Sequence, residues 1–340
     1  MNIRTLMVGL VALSACGGSG TADDGAVDAF ISDAPEEIEV DYTLLSETGL
    51  YEDIENKVLA EGVMEYAPEY RVWMDGFQAK TWIFIPPNRP IDTSDMDYWY
   101  FPIGVKVWQQ ISDTSGPEEV LLETRFIHRL GPDDGDVWQG SFVWNQEETD
   151  ADYVEAGQNN IKGTIHDAPP ASNCNSCHRG QPSHIIGFAA VQLSYEAPVN
   201  LNSLADDGLI TVPPATTEMY PIPGDQTARD ALGHLHADCA HCHTSGLGLA
   251  AFDVTGFGTR LFTAARTVEE TETYTTGVDQ SLGFWSGFGY TERIVRGDPG
   301  ASGVLYRMSV RGGNRQMPPR FTDMVNTAAE DALTDWINSL

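Results

Sequence analysis

The two most informative stretches of this sequence are Cys174-Asn175-Ser176-Cys177-His178 and Cys239-Ala240-His241-Cys242-His243. Both have the pattern C-x-x-C-H. On a helical turn, residues three and four apart lie on one face, so the two thiols and the histidine point to the same side. Two thiols at this spacing can bond the two vinyl groups of one porphyrin, and the histidine can bind its iron. The sequence therefore predicts two covalently bound c-type haems, attached through Cys174, Cys177, Cys239 and Cys242, with His178 and His243 as iron ligands.

Three other uses of the four cysteines remain open. A structural zinc site gathers four ligands, but the two cysteine pairs are far apart in the sequence, and zinc explains neither His178 nor His243. The thiols could also form disulfides in an oxidising compartment. A redox-active pair of the thioredoxin kind is a further alternative, although no βαβ pattern surrounds either motif.

The N-terminus is typical of an export signal. An apolar run covers residues 6–13 and is too short to span a bilayer as a helix. It ends in Leu13-Ser14-Ala15-Cys16, which resembles the cleavage box of bacterial lipoproteins. That resemblance implies removal of residues 1–15 as a signal peptide and lipidation of Cys16, so that acyl chains anchor the mature chain to a membrane. An ordinary signal peptide is the alternative.

The charge of the chain excludes one class of partner. There are 19 Lys+Arg against 50 Asp+Glu, for a net charge of −31 with His neutral. Such a chain repels phosphate backbones, so we expect no nucleic-acid partner. The acidic surface favours redox proteins of the periplasm with basic docking faces, or serves solubility. Gly17 after Cys16 resembles outer-membrane sorting, so we expect an exported protein on the periplasmic side of that membrane.

The first half of the chain divides into a tether and a β-rich domain. Residues 16–41 lack lysine, arginine and an apolar period, which indicates an acidic flexible tether. Residues 42–165 alternate short aromatic and β-branched runs with turn-forming residues, which predicts strands. Of the 8 tryptophans, those in this segment favour the filling of a sandwich-like core, with a stacking platform for a ligand as the alternative.

The second half is predicted to be mainly helical. Residues 166–224 carry the first haem motif and are rich in proline, so only short helices fit, near 188–193 and 201–207. Residues 225–340 begin with a helix that leads into Cys239 and end with a helix that carries apolar residues at helical spacing. The fold class expected is α+β and multidomain: an N-terminal β-rich, sandwich-like domain followed by a mainly α-helical haem region.

Residues 225–340 resemble a class I cytochrome c domain. The matching pieces are the helix that runs into C-x-x-C-H, the segment Arg315-Gln316-Met317-Pro318-Pro319, and the last helix with its aromatic residue Trp336. A thioether is a soft donor suited to haem iron, and Pro318 keeps Met317 out of helical geometry. We therefore expect Met317 to be the distal ligand of the second haem, with Met308 and Met324 as alternatives.

More of the chain, about residues 70–340, resembles exported bacterial di-haem c-type cytochromes with a β-rich segment before two haem motifs. Besides the motifs, the resemblance is carried by Glu123-Thr124-Arg125, Trp138-Gln139-Gly140, Val143-Trp144-Asn145, Thr149-Asp150-Ala151, Ile186-Gly187-Phe188, Gln192-Leu193 and Gly297-Asp298-Pro299-Gly300-Ala301-Ser302. It implies a redox function outside the cytoplasm and supplies no substrate.

The distal ligand of the first haem is left open by the sequence. No second Met-Pro-Pro segment follows His178. Met219, in a proline-rich segment, is one candidate ligand, and an open site without a distal ligand is another possibility. The histidines that could serve instead are His166, His184, His234 and His236.

Three functions follow from these observations. The first is electron transfer between extracytoplasmic redox partners by a di-haem cytochrome lipoprotein. The second is a haem enzyme, such as a di-haem peroxidase or another oxidoreductase, with an open or displaceable site at the first haem and His166 or His184 as acid or base. The third is a ligand-binding or sensing module built on the tryptophan-rich domain. No catalytic residue is assigned.

Overall fold

The computed structural model describes residues 38, 40–283 and 288–340. The predicted signal peptide 1–15, the lipidation site Cys16 and almost all of the tether 16–41 lie outside the described residues. From Pro35 onward the chain clusters into one compact unit.

The β-rich half contains two antiparallel sheets. The larger one has six strands in the order β3-β4-β5-β6-β7-β8, so each strand pairs with the next one along the chain, and the smaller one pairs β1 with β2. The strands are β1 Tyr51–Asp53, β2 Val58–Leu59, β3 Val63–Tyr66, β4 Gln78–Phe84, β5 Lys106–Asp113, β6 Val120–Arg129, β7 Val137–Trp144 and β8 Ala151–Tyr153.

One face of the larger sheet is an aromatic core. Trp82 pairs with Trp108, and Trp108 pairs with Phe126, so three large rings line up across β4, β5 and β6. Successive side chains of a strand point to opposite faces, so these rings share one side of the sheet. The three rings pack against Leu45, which precedes β1, and against Tyr51 of β1.

The opposite face carries a row of mostly polar residues. The row crosses five strands and consists of Tyr66, Thr81, Gln109, Arg125 and Ser141. When an aromatic core covers one side of a sheet, polar side chains on the other side contact either solvent or a cavity. All five residues of the row line one cavity.

The helices lie after the sheets in the sequence. They are α1 Asn175–His178, α2 Leu201–Asp206, α3 Gln226–Cys239, α4 Ala250–Thr255, α5 Glu272–Gly277, α6 Gly303–Ser309 and α7 Thr327–Ser339. Short 3-10 helices cover Leu45–Thr48, Ile161–Gly163, Ala171–Asn173, Pro182–His184, Val191–Leu193, Val268–Glu270, Pro299–Ala301 and Gly313–Arg315.

Helices α3 and α7 pack against each other. Each begins at a residue whose side chain accepts a hydrogen bond from the first turn: Asp225 from the N–H of Ala228, and Asn326 from the N–H of Ala329. Their apolar stripes share one hydrophobic core with strands β3, β4 and β5 and with the segment around Phe188. That core takes residues from all three predicted segments, 42–165, 166–224 and 225–340.

The chain is therefore α+β, with a β-rich region followed by a smaller helical part, as the sequence predicts. Within the part of the chain that the structure describes, no helix has the length and apolar character needed to cross a membrane.

Candidate functional site

The two C-x-x-C-H motifs adopt the same local geometry. In the first motif the N–H groups of Cys177 and His178 both donate to the carbonyl of Cys174, at 3.1 Å each. In the second, the N–H groups of Cys242 and His243 donate to the carbonyl of Cys239, at 3.1 and 2.9 Å. Each motif is thus a single helical turn, as the spacing predicts.

Both motif histidines are held in place through their Nδ1 atoms. Nδ1 of His178 donates to the carbonyl of His184 at 2.7 Å, and Nδ1 of His243 donates to the carbonyl of Phe257 at 3.1 Å. Metal-binding histidines usually make such a bond, because it fixes the tautomer and leaves Nε2 for the metal. Burial lowers the pKa of each ring to about 4, so both are neutral at pH 7.

The two motifs meet at their second cysteines. The sulfur atoms of Cys177 and Cys242 and a ring nitrogen of His241 all lie within 4.8 Å of one another. A hydrogen bond between the two thiols lowers the pKa of Cys177 and raises that of Cys242, because one proton serves both sulfurs. All four motif cysteines are free thiols, so none is paired in a disulfide. Cys174 and Cys239 do not join this group, so among the described residues it has three candidate metal ligands rather than the four of a structural zinc site.

A cavity of about 630 Å³ lies beside the first motif. Its wall includes Cys174, Cys177 and His178 on one side and the polar row of the large sheet, with Thr81, Gln109 and Arg125, on another. The volume is in the range of pockets that hold a cofactor. The first motif is docked on the sheet by Gln139, whose amide donates to the side-chain oxygen of Asn175 at 2.5 Å.

Basic side chains are concentrated at this cavity, although the chain as a whole is strongly acidic. The arginines that line it are Arg71, Arg125, Arg179, Arg260 and Arg320. Guanidinium groups bind carboxylates well, and a haem carries two carboxylates, the propionates. The neutral His178, the paired thiols, the volume and the arginines together fit a haem at the first motif.

Arg125 is itself held by a buried carboxylate. Glu123 is fully buried and pairs with Nε of Arg125 at 3.1 Å and with Nε2 of His166 at 2.7 Å. Burial alone would raise the pKa of Glu123, but Arg125 and His166 lower it to about 2. The carboxylate therefore stays ionised at neutral pH and orients the arginine at the cavity wall.

The surroundings of the second motif are tighter. His243 is buried, packs against Phe257 and does not line the 630 Å³ cavity. Arg307, whose charge acts on His243, lines a small cavity of about 10 Å³ between Tyr290 and Tyr306.

Met317 lies in the same region as His243. It is partly buried, and its N–H donates to the carbonyl of Arg307 at 2.8 Å. Of the two alternatives from the sequence, Met308 is buried, whereas Met324 is exposed. Pro318 and Pro319, which follow Met317, reach the wall of the larger cavity instead.

The candidates for the distal side of the first haem are placed in different surroundings. Met219 is buried in the main hydrophobic core and does not line the cavity beside His178. His166 is bound to Glu123, and His234 packs its ring edge against Tyr70. His184 supplies the carbonyl that holds Nδ1 of His178, which puts its backbone behind that ring.

His236 is the candidate histidine that does line the cavity. Its Nδ1 accepts a hydrogen bond from the N–H of Leu261 at 3.1 Å. Burial, with the charge of Arg260, lowers its pKa to about 3. The ring is therefore neutral with its proton on Nε2.

Several cavity residues were not named as site residues from the sequence. They include Met74, in the loop between β3 and β4, and Thr81, Gln109 and Ser141 of the sheet row; Arg125 of that row was named only as part of the family resemblance. A signal for the row exists in β6, where Glu123 and Arg125 alternate with Thr124 and Phe126 and none of the four is exposed. A strand with charges on a buried face indicates that this face contacts a polar group.

The tryptophans of the β-rich region are mostly core residues. Trp82, Trp99, Trp108 and Trp144 are each less than 5% exposed, at 4%, 4%, 0% and 2%. These four rings offer little surface to a ligand, whereas Trp138 is partly buried. Trp73, at the cavity wall, is partly buried.

Comparison of this chain with models of protein families, with curated proteins and with solved structures found no match.

Proposed function

We propose that this protein is a lipid-anchored di-haem c-type cytochrome that carries electrons between redox partners outside the cytoplasm. In this proposal Cys174, Cys177, Cys239 and Cys242 form the thioether bonds, and His178 and His243 bind the irons. The bound haems would supply one-electron Fe(III)/Fe(II) chemistry. Residues 225–340 would form a cytochrome c-like unit with Met317 as the second ligand opposite His243.

The observation that carries the proposal is the contact between Cys177 and Cys242. Their sulfurs lie within 4.8 Å of each other, and each is the second attachment point of its own motif. Electron tunnelling weakens steeply with distance, so attachment points in contact favour rapid exchange between two centres. In this proposal the two neighbouring attachment points would let electrons pass between the haems, as an electron carrier requires.

The helical part supports the cytochrome-like unit. Helix α3 ends in the second motif at Cys239 and packs against the last helix, α7. Asp238, next to Cys239, accepts a hydrogen bond from the side-chain amide of Asn326, the residue that begins α7. The two helices and the second motif are therefore held as one unit.

Export and anchoring rest on the sequence. Covalent haem attachment takes place outside the cytoplasm, which agrees with the apolar run at 6–13 and the box that ends at Cys16. The negative charge of the chain would guide partners with basic faces.

The test counts covalent haem in the chain exported by a bacterial host with a c-type maturation system. We expect two haems per wild-type chain and one in each double variant, Cys174→Ala/Cys177→Ala and Cys239→Ala/Cys242→Ala. Cys16→Ser serves as the matched control, because it should release the protein from the membrane without changing the haem count. A wild-type chain without covalent haem contradicts the proposal.

A haem enzyme is the second candidate, and the size of the cavity beside His178 is the observation that favours it. A space of about 630 Å³ with Arg260 and His236 in its wall could admit a small substrate next to the haem. Carbon monoxide separates the two functions: binding to one of the two reduced haems favours the enzyme, and no binding favours the electron carrier.

A further inference from the structure

Met74 lies in the wall of the cavity that His178 also lines. It belongs to the loop between β3 and β4, is 9% exposed, and is the only methionine among the described residues of that wall. Thioether sulfur is one of the few side-chain groups that bind haem iron. Met74 thus brings a thioether sulfur to the wall of the cavity that His178 lines.

The loop that carries Met74 is tied to both halves of the site. The N–H of Trp73 donates to the carboxylate of Asp238, next to the second motif, at 2.7 Å. The carboxylate of Asp75 accepts from the N–H groups of Asp323 and Met324, at 2.9 Å each. With both neighbours fixed in this way, Met74 is held in one position against the cavity.

The sulfur of Met74 is also oriented. Nη1 of Arg125 donates to Sδ of Met74 at 3.7 Å, and Arg125 is itself fixed by the buried Glu123. A thioether sulfur has two lone pairs, so one can accept from the guanidinium while the other binds a metal. Arg125, Met74 and Cys174 all line the cavity that His178 lines.

The two other histidines of the cavity wall are less suited to bind the iron. Nδ1 of His236 accepts from the N–H of Leu261, so its ring proton is on Nε2 and that nitrogen has no lone pair for a metal. His241 sits with the sulfurs of Cys177 and Cys242. If these sulfurs form thioether bonds, they would lie at the edge of a bound porphyrin, where His241 could not reach the iron from above the ring.

We propose that Met74 is the axial ligand opposite His178, so that the β-rich region supplies one of the two ligands of the first haem. This assignment rests on the proposed function. It also gives the β-rich region a role, because the six-stranded sheet positions Met74 through Arg125.

The test uses the purified di-haem protein and the variant Met74→Leu, a near-isosteric change that keeps the packing. Covalent haem content is measured first, followed by the ferric absorption band that arises from methionine-to-iron charge transfer. We expect two bound haems in both proteins, a band reduced to about half in Met74→Leu, and one haem per chain converted to a form that binds carbon monoxide. The reduction potential of that haem should fall, since methionine ligation raises it.

Two further variants make the result specific. Met219→Leu is the matched control. It should leave the methionine-to-iron band, the reduction potential and carbon monoxide binding unchanged. Met74→His should restore a six-coordinate haem that excludes carbon monoxide, without restoring the methionine band.

Failure of this assignment can be told apart from failure of the proposed function. Two bound haems and an unchanged band in Met74→Leu, or a halved band in Met219→Leu, overturn the assignment alone. A wild-type chain without covalent haem overturns the proposed function and the assignment with it.

Discussion

Nδ1 of His178 lies 2.7 Å from the carbonyl oxygen of His184, and this contact determines which side of the imidazole is left for iron. Iron can bind only at Nε2, on the far side of the ring. The backbone at His184, a residue that the sequence offered as a distal ligand, is therefore on the wrong side of His178 for that role.

The first prediction is that His184→Asn leaves both haems six-coordinate. The substitution keeps the carbonyl that holds His178, and asparagine tolerates the positive φ of 59° found at this position. Carbon monoxide titration and the ferric spectrum of the di-haem protein should match the wild type. Appearance of one high-spin haem would show that the side chain of His184 is an iron ligand after all.

The second prediction concerns the buried carboxylate of Glu123. Its pKa is about 2 against 4.5 for the free group, so the ionised form stabilises the folded state above pH 4.5, and that stability is lost as the pH falls toward 2. At about 1.4 kcal/mol per pKa unit, the contribution at pH 7 is roughly 3 kcal/mol.

Glu123→Gln should therefore lower the free energy of unfolding at pH 7 by about 3 kcal/mol, because Arg125 and His166 lose their charged partner. Urea unfolding between pH 7 and pH 3 measures the effect, and the gap between wild type and variant should narrow as the pH falls. Glu119→Gln is the control, since its pair with Lys80 is partly exposed and should contribute less than about 1 kcal/mol. Equal losses of unfolding free energy in Glu123→Gln and Glu119→Gln would show that the buried Glu123 carboxylate contributes no more than an exposed one.

The third prediction compares two tryptophans of the aromatic core. Nε1 of Trp108 donates to the hydroxyl of Thr48 at 3.0 Å, whereas Nε1 of Trp82 has no partner among the described residues. Both rings are buried. Trp108→Phe should destabilise the protein by about 1 kcal/mol more than Trp82→Phe, because only the first change removes a hydrogen bond.

Chemical denaturation at one pH measures this difference. The two variants should also retain their haem, since neither ring lines the cavity beside His178. A larger loss in Trp82→Phe would mean that the hydrogen bond to Thr48 contributes little.

The fourth prediction follows from the net charge of −31. Electrostatic guidance of a basic partner weakens with salt, because the screening length falls to about 10 Å at 0.1 M. The second-order rate of electron exchange with a cationic redox protein should fall by about tenfold or more between roughly 20 and 300 mM salt. Stopped-flow reduction by an uncharged small molecule is the control and should not change. A rate independent of ionic strength would exclude guidance by charge.

Much of the local structure could be predicted from the sequence. The C-x-x-C-H spacing predicts a helical turn, and both motifs form one. The helix predicted to lead into Cys239 is found at Gln226–Cys239. The order of β-rich and helical segments was also correct, because residues close in the sequence control strand and helix formation.

The surroundings of the first motif could not be predicted in the same way. The candidate distal ligands from the sequence all lie between His166 and His236, around the first motif or in the helix before the second. Met74 lies far upstream, and only the pairing of β4, β5 and β6 brings Arg125 and the loop of Met74 to the cavity. Strand register depends on contacts between residues that are far apart in the chain, so it cannot be predicted from the spacing of nearby residues.

By itself, the sequence determined the two helical turns that carry four thiols and two histidines, since spacings of three and four residues are local. Only the tertiary structure decided that Cys177 lies beside Cys242. It also decided that the face of the large sheet that carries Arg125 forms a wall of the cavity beside His178. These contacts join residues from distant parts of the chain. They exist only because the hydrophobic core packs strands, motif turns and the two long helices into one unit.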